Sequence, residues 1–158
     1  MSRVVLLDAG PLGMVANPTP SGVTTRQCQA WADALQSKGV TIRVPGIADY
    51  EVRRELHHAA GRGVVGAAAS ILHLDEVVAR LGPDPITPEI LIKAAELWGR
   101  ARAQGTPTAP DLALDGDMIL CAHAIMLAQC GNDVEIATTN VGHLSLFANA
   151  RDWTLIIA

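Results

Sequence analysis

Aromatic residues are scarce in this chain: three Trp, one Tyr and one Phe make up 3% of 158 residues. So few rings exclude base stacking on aromatic platforms as the main source of any affinity for single-stranded nucleic acid. Lysine is scarce too, two against ten arginines, and sixteen acids outnumber twelve bases for a net charge of −4. That balance argues against bulk electrostatic binding of nucleic acid, although a metal ion bound where acids converge reverses the local sign. The three cysteines, Cys28, Cys121 and Cys130, have no metal-ligand spacing and read as reduced thiols in a cytoplasm. No apolar run approaches the roughly eighteen residues needed to span a bilayer. Arg3 leads straight into Val4-Val5-Leu6-Leu7 with no signal-peptide pattern, so the expected location is cytoplasmic, away from membranes. There is no repeat and no P-loop. Gly61, Gly63 and Gly66 have the spacing of a dinucleotide fingerprint, but they follow a helix instead of a strand. No serine has a nucleophile-elbow context, and Cys121 lies within an apolar helix.

What remains is a globular composition, 49% apolar and 18% charged, long enough for one core. The expectation is a single domain over residues 1–158. Residues 3–7 form a short apolar run ended by Asp8-Ala9-Gly10-Pro11, the pattern of a buried parallel strand and a turn. Thr24 or Thr25 can cap a helix to about Ser37, and 41–44 is a second strand. Helices are expected over 47–58, 67–81, 88–104 and 116–128, with Gly82-Pro83-Asp84-Pro85 as a rigid turn. Strands over 134–138 and 153–157 complete the chain. This order predicts an α/β fold, a three-layer α/β/α sandwich around a short, mainly parallel sheet.

The organising stretch is Leu114 to Ala124. Asp115 can cap the buried helix and Asp117 falls in its first turn, where the helix dipole favours a negative charge. Capping alone explains Asp115; a cation between the two acids is the alternative. Glu51 has two readings as well: inward beside Val52, or in a surface network with Arg54, Glu55 and His58. Asp8 ends the first strand, while Asn140 and His143 follow the third. A parallel sheet brings such positions to one edge. Converging acids need compensation, and a hard cation supplies it.

Four segments in order resemble the PIN domain, the nuclease fold of VapC-type toxins. They are Leu6-Leu7-Asp8, Asp49-Tyr50-Glu51-Val52-Arg53-Arg54-Glu55-Leu56, Asp117 to Ala124, and Ala137-Thr138-Thr139-Asn140-Val141-Gly142-His143-Leu144. The resemblance covers nearly the whole chain. It implies a metal-dependent ribonuclease in which Asp8, Glu51 and Asp117 are catalytic and, with Asp115, hold Mg²⁺ or Mn²⁺. It implies that Thr139, Asn140 or His143 orients a phosphate or a water, and that Arg53 and Arg54 guide an RNA backbone. Family habit adds a homodimer and a small antitoxin partner. Three positions depart from the family: Ala9 replaces the usual Thr or Ser, His143 stands at the fourth acid, and Leu144 replaces Phe. These departures keep a second function in view, a PIN-fold protein that binds nucleic acid or a partner without cutting.

Overall fold

A computed structural model describes residues 1–110 and 114–158. Among the described residues, five strands form one sheet: β1 (Arg3–Leu7), β2 (Thr41–Pro45), β3 (Pro83–Asp84), β4 (Asp133–Thr138) and β5 (Ala150–Asp152). Their order is β3-β2-β1-β4-β5 and every pairing is parallel. The helices are α1 (Ala9–Val15), α2 (Val23–Ser37), α3 (Gly46–Gly61), α4 (Ala67–Leu81), α5 (Pro88–Ala103), α6 (Gly116–Gln129) and α7 (Val141–Leu144).

The central strand explains the layers. Successive side chains of a strand point to opposite faces, so an unbroken apolar run is what a sheet covered on both sides requires. Val4 and Leu6 pack with Leu97 of α5 and with Met118 and Leu120 of α6. Val5 and Leu7 pack on the other face with Leu12, Cys28, Leu35 and Leu74 of α1, α2 and α4. The result is the α/β/α sandwich. Among the described residues, no helix is long and apolar enough to cross a membrane.

Four local expectations are corrected. Residues 8–11 start α1 instead of making a turn: the Asp8 side chain accepts the Ala9 N–H at 2.7 Å. Pro11 falls in the first helical turn, where no intrahelical N–H is needed. Helix α2 starts at Val23 with Gly22 as its cap, so neither Thr24 nor Thr25 caps it. Pro83–Asp84 pairs with β2 as an edge strand, Val44 N–H donating to Gly82 O at 2.9 Å. The last strand lies at 150–152, and Trp153–Leu155 is a 3-10 turn capped by Asp152, which accepts from Thr154 N–H at 3.0 Å. Trp153 is drawn out of the sheet because it packs on Trp31, ring centroids 5.6 Å apart.

Candidate functional site

Between β1 and β4 the chain crosses from one half of the sheet to the other. Beyond the carboxyl ends of strands at such a switch point lies the crevice where α/β folds bind ligands. Register puts Leu7 beside Ala137, so Asp8 and Thr138 leave the sheet as neighbours. The buried Thr138 hydroxyl donates to Asp8 Oδ2 at 2.7 Å and accepts the Asn140 N–H at 2.9 Å. Asp8 Oδ1 caps α1. Both carboxylate oxygens are thereby oriented.

Glu51 reaches the crevice from α3. Ile47, Ala48, Glu51 and Val52 form the inward stripe of that helix, so Glu51 is half-buried while Arg54 and Glu55 stay outside. The surface-network alternative fails for Glu51 and holds for its neighbours: Arg54 pairs with Glu55 at 3.6 Å. Gly116 makes the inward position possible. A Cβ there would collide with Glu51 Oε1. Similarly, a Cβ on Gly10 would press to 2.6 Å from Thr139 Oγ1, so that glycine lets α1 close on the loop after β4.

Helix α6 brings Asp115 and Asp117. Asp115 is buried and accepts from Met118 N–H at 3.2 Å and from the Thr108 hydroxyl at 2.6 Å. The cap occupies Oδ1 and the Thr108 hydroxyl occupies Oδ2. Asp117 is half-buried, and its Oδ2 stands 3.4 Å from His143 Nδ1.

The charges of these groups act on one another. Burial, then the charge of Asp8, pushes the Glu51 carboxyl above its ordinary range; Arg54 opposes this and Asp117 adds to it. Asp117 is raised by burial and by Asp8, lowered by its hydrogen bond to His143, and raised by Asp115. The field extends one turn into α6, where burial and then Asp117, Asp115 and Asp8 push the Cys121 thiol up to about 12. That thiol is inert as a nucleophile at neutral pH.

The structure thus draws Asp8, Glu51, Asp115, Asp117 and His143 to one sheet edge. Thr139 and Asn140 are exposed beside them. Arg53 is diverted: it pairs with Asp49 at 2.9 Å and Asp75 at 2.7 Å, tying α3 to α4. Arg54 is exposed and lies 5.6 Å from the Tyr50 ring centroid. Sequence reasoning missed Thr138, Gly116, Gly10 and Thr108. Thr138 is distinguishable from Thr139 only once the β1–β4 register is known.

The donor set suits a hard divalent cation: carboxylate oxygens, half-buried, with burial and then the charge of Asp8 raising the proton affinity of Glu51 and Asp117. Among the described residues, no three His, Cys, Asp or Glu side chains are already drawn together closely enough to hold a metal ion. The Thr138 and His143 contacts hold Asp8 and Asp117 in their own places.

No family model matches the sequence, and no curated protein matches it. Solved structures do. VapBC2 from Rickettsia felis, bound to a DNA fragment from its promoter, aligns at TM-score 0.71 and 15% identity, covering 95% of this chain and 98% of that one. DNA-bound VapBC from Salmonella typhimurium aligns at TM-score 0.68 and 14% identity over 97% and 99%. VapBC-1 from nontypeable Haemophilus influenzae aligns at 0.66 and 16% over 96% and 98%. At these identities the likeness is one of fold, and the five-stranded parallel sheet between its helical layers is a PIN-like fold, as the four motifs lead one to expect.

Proposed function

We propose that this protein is a metal-dependent endoribonuclease, with Asp8, Glu51 and Asp117 as the residues that hold Mg²⁺ or Mn²⁺. The observation that carries this reading is that three half-buried acids from three distant segments feel one another's charge across one crevice, two of them with raised proton affinity. A fold has no structural need to gather such charges, since burying them is costly without a cation. Bound there, the metal supplies a more acidic water and neutralises charge that builds on the phosphoryl group. Asp8 is aimed by Thr138 and the α1 N-terminus. Asp117 is steadied by His143, and Asp115 fixes the start of α6 from behind. Exposed Arg54 meets the RNA backbone; Arg53 serves the α3–α4 contact. Toxin action opposed by an antitoxin fits the VapBC complexes that this fold resembles.

The test is cleavage of single-stranded RNA with Mg²⁺ or Mn²⁺, with EDTA as the blank. Asp8→Asn and Asp117→Asn should each abolish cleavage while the protein stays folded. Equal cleavage by wild type and both variants would identify a contaminant and sink the reading. One observation favours a second function: His143 at the fourth-acid position is 3.4 Å from Asp117 and brings no negative charge. Saturable RNA binding without cleavage in either metal would favour that non-cutting PIN-fold protein.

A further inference from the structure

A cavity of about 580 Å³ lies between α1, α3 and α4, and Glu51 forms part of its wall. Pockets for small organic ligands span roughly 300–1,000 Å³. Gly10, Gly13 and Ala16 line it from α1, at intervals that keep them on one helical face. Gly13 leaves bare backbone toward Val52 of α3, whereas the open side of Gly10 faces Thr139. Val52 and Leu56, one turn apart on α3, form an aliphatic wall. Polar groups are few and separate: Asn17, Ser70 and the Arg54–Glu55 pair.

We propose that this cavity seats one unpaired base of the RNA strand, next to the phosphate presented to the acids. The proposal rests on the ribonuclease reading and adds a site for substrate selection. Glu51 is shared by the cavity and the acid cluster, so a strand crossing the acids brings a neighbouring base to the opening. Arg54 lines the cavity, and its charge is felt by Glu51, so it stands where a phosphate joins its base. Val52 and Leu56 offer an aliphatic surface to one face of a flat ring without an aromatic platform. Asn17 and Ser70 offer hydrogen bonds to the edge of the base.

Gly13 provides the test. A Cβ there would meet Val52 Cγ2 at 4.0 Å, ordinary contact, so Gly13→Ala fits and Gly13→Leu projects its side chain into the cavity. Short single-stranded RNAs are compared with the same RNAs made abasic at each position in turn. In Gly13→Leu, KM should rise on the order of tenfold, the scale of losing one base contact, with kcat little changed. Wild type should handle one abasic RNA as poorly as Gly13→Leu handles the intact one, and Gly13→Ala should fall between. Folded Gly13→Leu with unchanged preference for intact over abasic RNA overturns the proposal, whether the cavity then holds a protein segment or nothing. Should Gly13→Leu not fold, indifference of wild type to every abasic position overturns it equally. A second readout is independent of cleavage: fluorescence of a 2-aminopurine RNA bound with Ca²⁺. If wild type cuts no RNA, the nuclease reading fails, and a fluorescence change lost in Gly13→Leu still upholds the pocket. No fluorescence change at any position overturns it.

Discussion

Replacing Thr138 by Val keeps the shape of a fully buried side chain and removes one hydroxyl. That hydroxyl donates to Asp8 at 2.7 Å and accepts the Asn140 N–H at 2.9 Å. A hydrogen bond to a charged group contributes roughly 1.5–3 kcal/mol, and an orphaned partly buried donor costs about 1–3 kcal/mol. The added methyl recovers about 0.8 kcal/mol by burial. The net loss is about 2–5 kcal/mol, a fall in Tm of roughly 4–20 °C for a chain of this size. Thr138→Ser keeps the hydroxyl and loses only a methyl, so it should cost about 1 kcal/mol. Thermal and urea unfolding in EDTA reads both variants. A double-mutant cycle with Asp8→Asn isolates the contact and should give a coupling of at least about 1.5 kcal/mol. With the orienting bond gone, Mn²⁺ affinity should fall roughly 10–100-fold, the usual effect of removing a hydrogen-bond partner of a metal ligand. Thr138→Val melting within about 1 °C of wild type, or a cycle with no coupling, would refute the reasoning that Thr138 aims Asp8.

Asp117→Asn should raise Tm in EDTA by roughly 2–4 °C, relieving about 1 kcal/mol of repulsion; an unchanged or lower Tm would mean that Asp8 and Glu51 do not strain it. Glu51 and Asp117 bind protons more tightly folded than unfolded, so through them stability rises as pH falls from neutral through their raised pKa values. That gain levels off below their ordinary values of 4.5 and 3.8, and Glu51→Gln should flatten it in a Tm-against-pH series. Gly116→Ala should displace Glu51 and weaken Mn²⁺ binding measured by calorimetry, since its Cβ takes the space of Oε1; unaltered affinity would remove Glu51 from the site. His143→Asp sets a carboxylate beside Asp117 and should lower Tm in EDTA while tightening Mg²⁺. No gain in Mg²⁺ affinity there, with a loss in Asp115→Asn, would make Asp115 the working fourth acid.

What was legible in the sequence was local. The apolar run of β1 needs cover on both faces, and α6 announces itself by an Asp cap before an apolar stretch. Helix α1 was hidden because Gly10 and Pro11 are turn formers out of context. In place, Pro11 uses the tolerant first turn and Gly10 yields room to Thr139. The run Trp153 to Ile157 has the composition of a strand, but Trp31 and the Asp152 cap claim its first residues. The same division runs through the site. Asp8 and Asp117 are visible because each sits at an element end, whereas periodicity leaves Glu51 two readings and only the resemblance to the PIN motif singles it out. Arg53 and Arg54 are adjacent and chemically alike; the pairs with Asp49 and with Asp75 on α4 separate the structural one from the exposed one. Thr138 and Thr139 differ in role only because β1 pairs with β4, a contact across 130 residues of chain. Asp8 and Asp117 can thus be singled out from their own neighbourhoods, while the groups that aim them come from wherever the fold makes an approach. Substitutions at Thr138, Gly116 and Gly10 therefore test the assembled site more sharply than substitutions of the acids, since each fails only if the two distant segments meet as described.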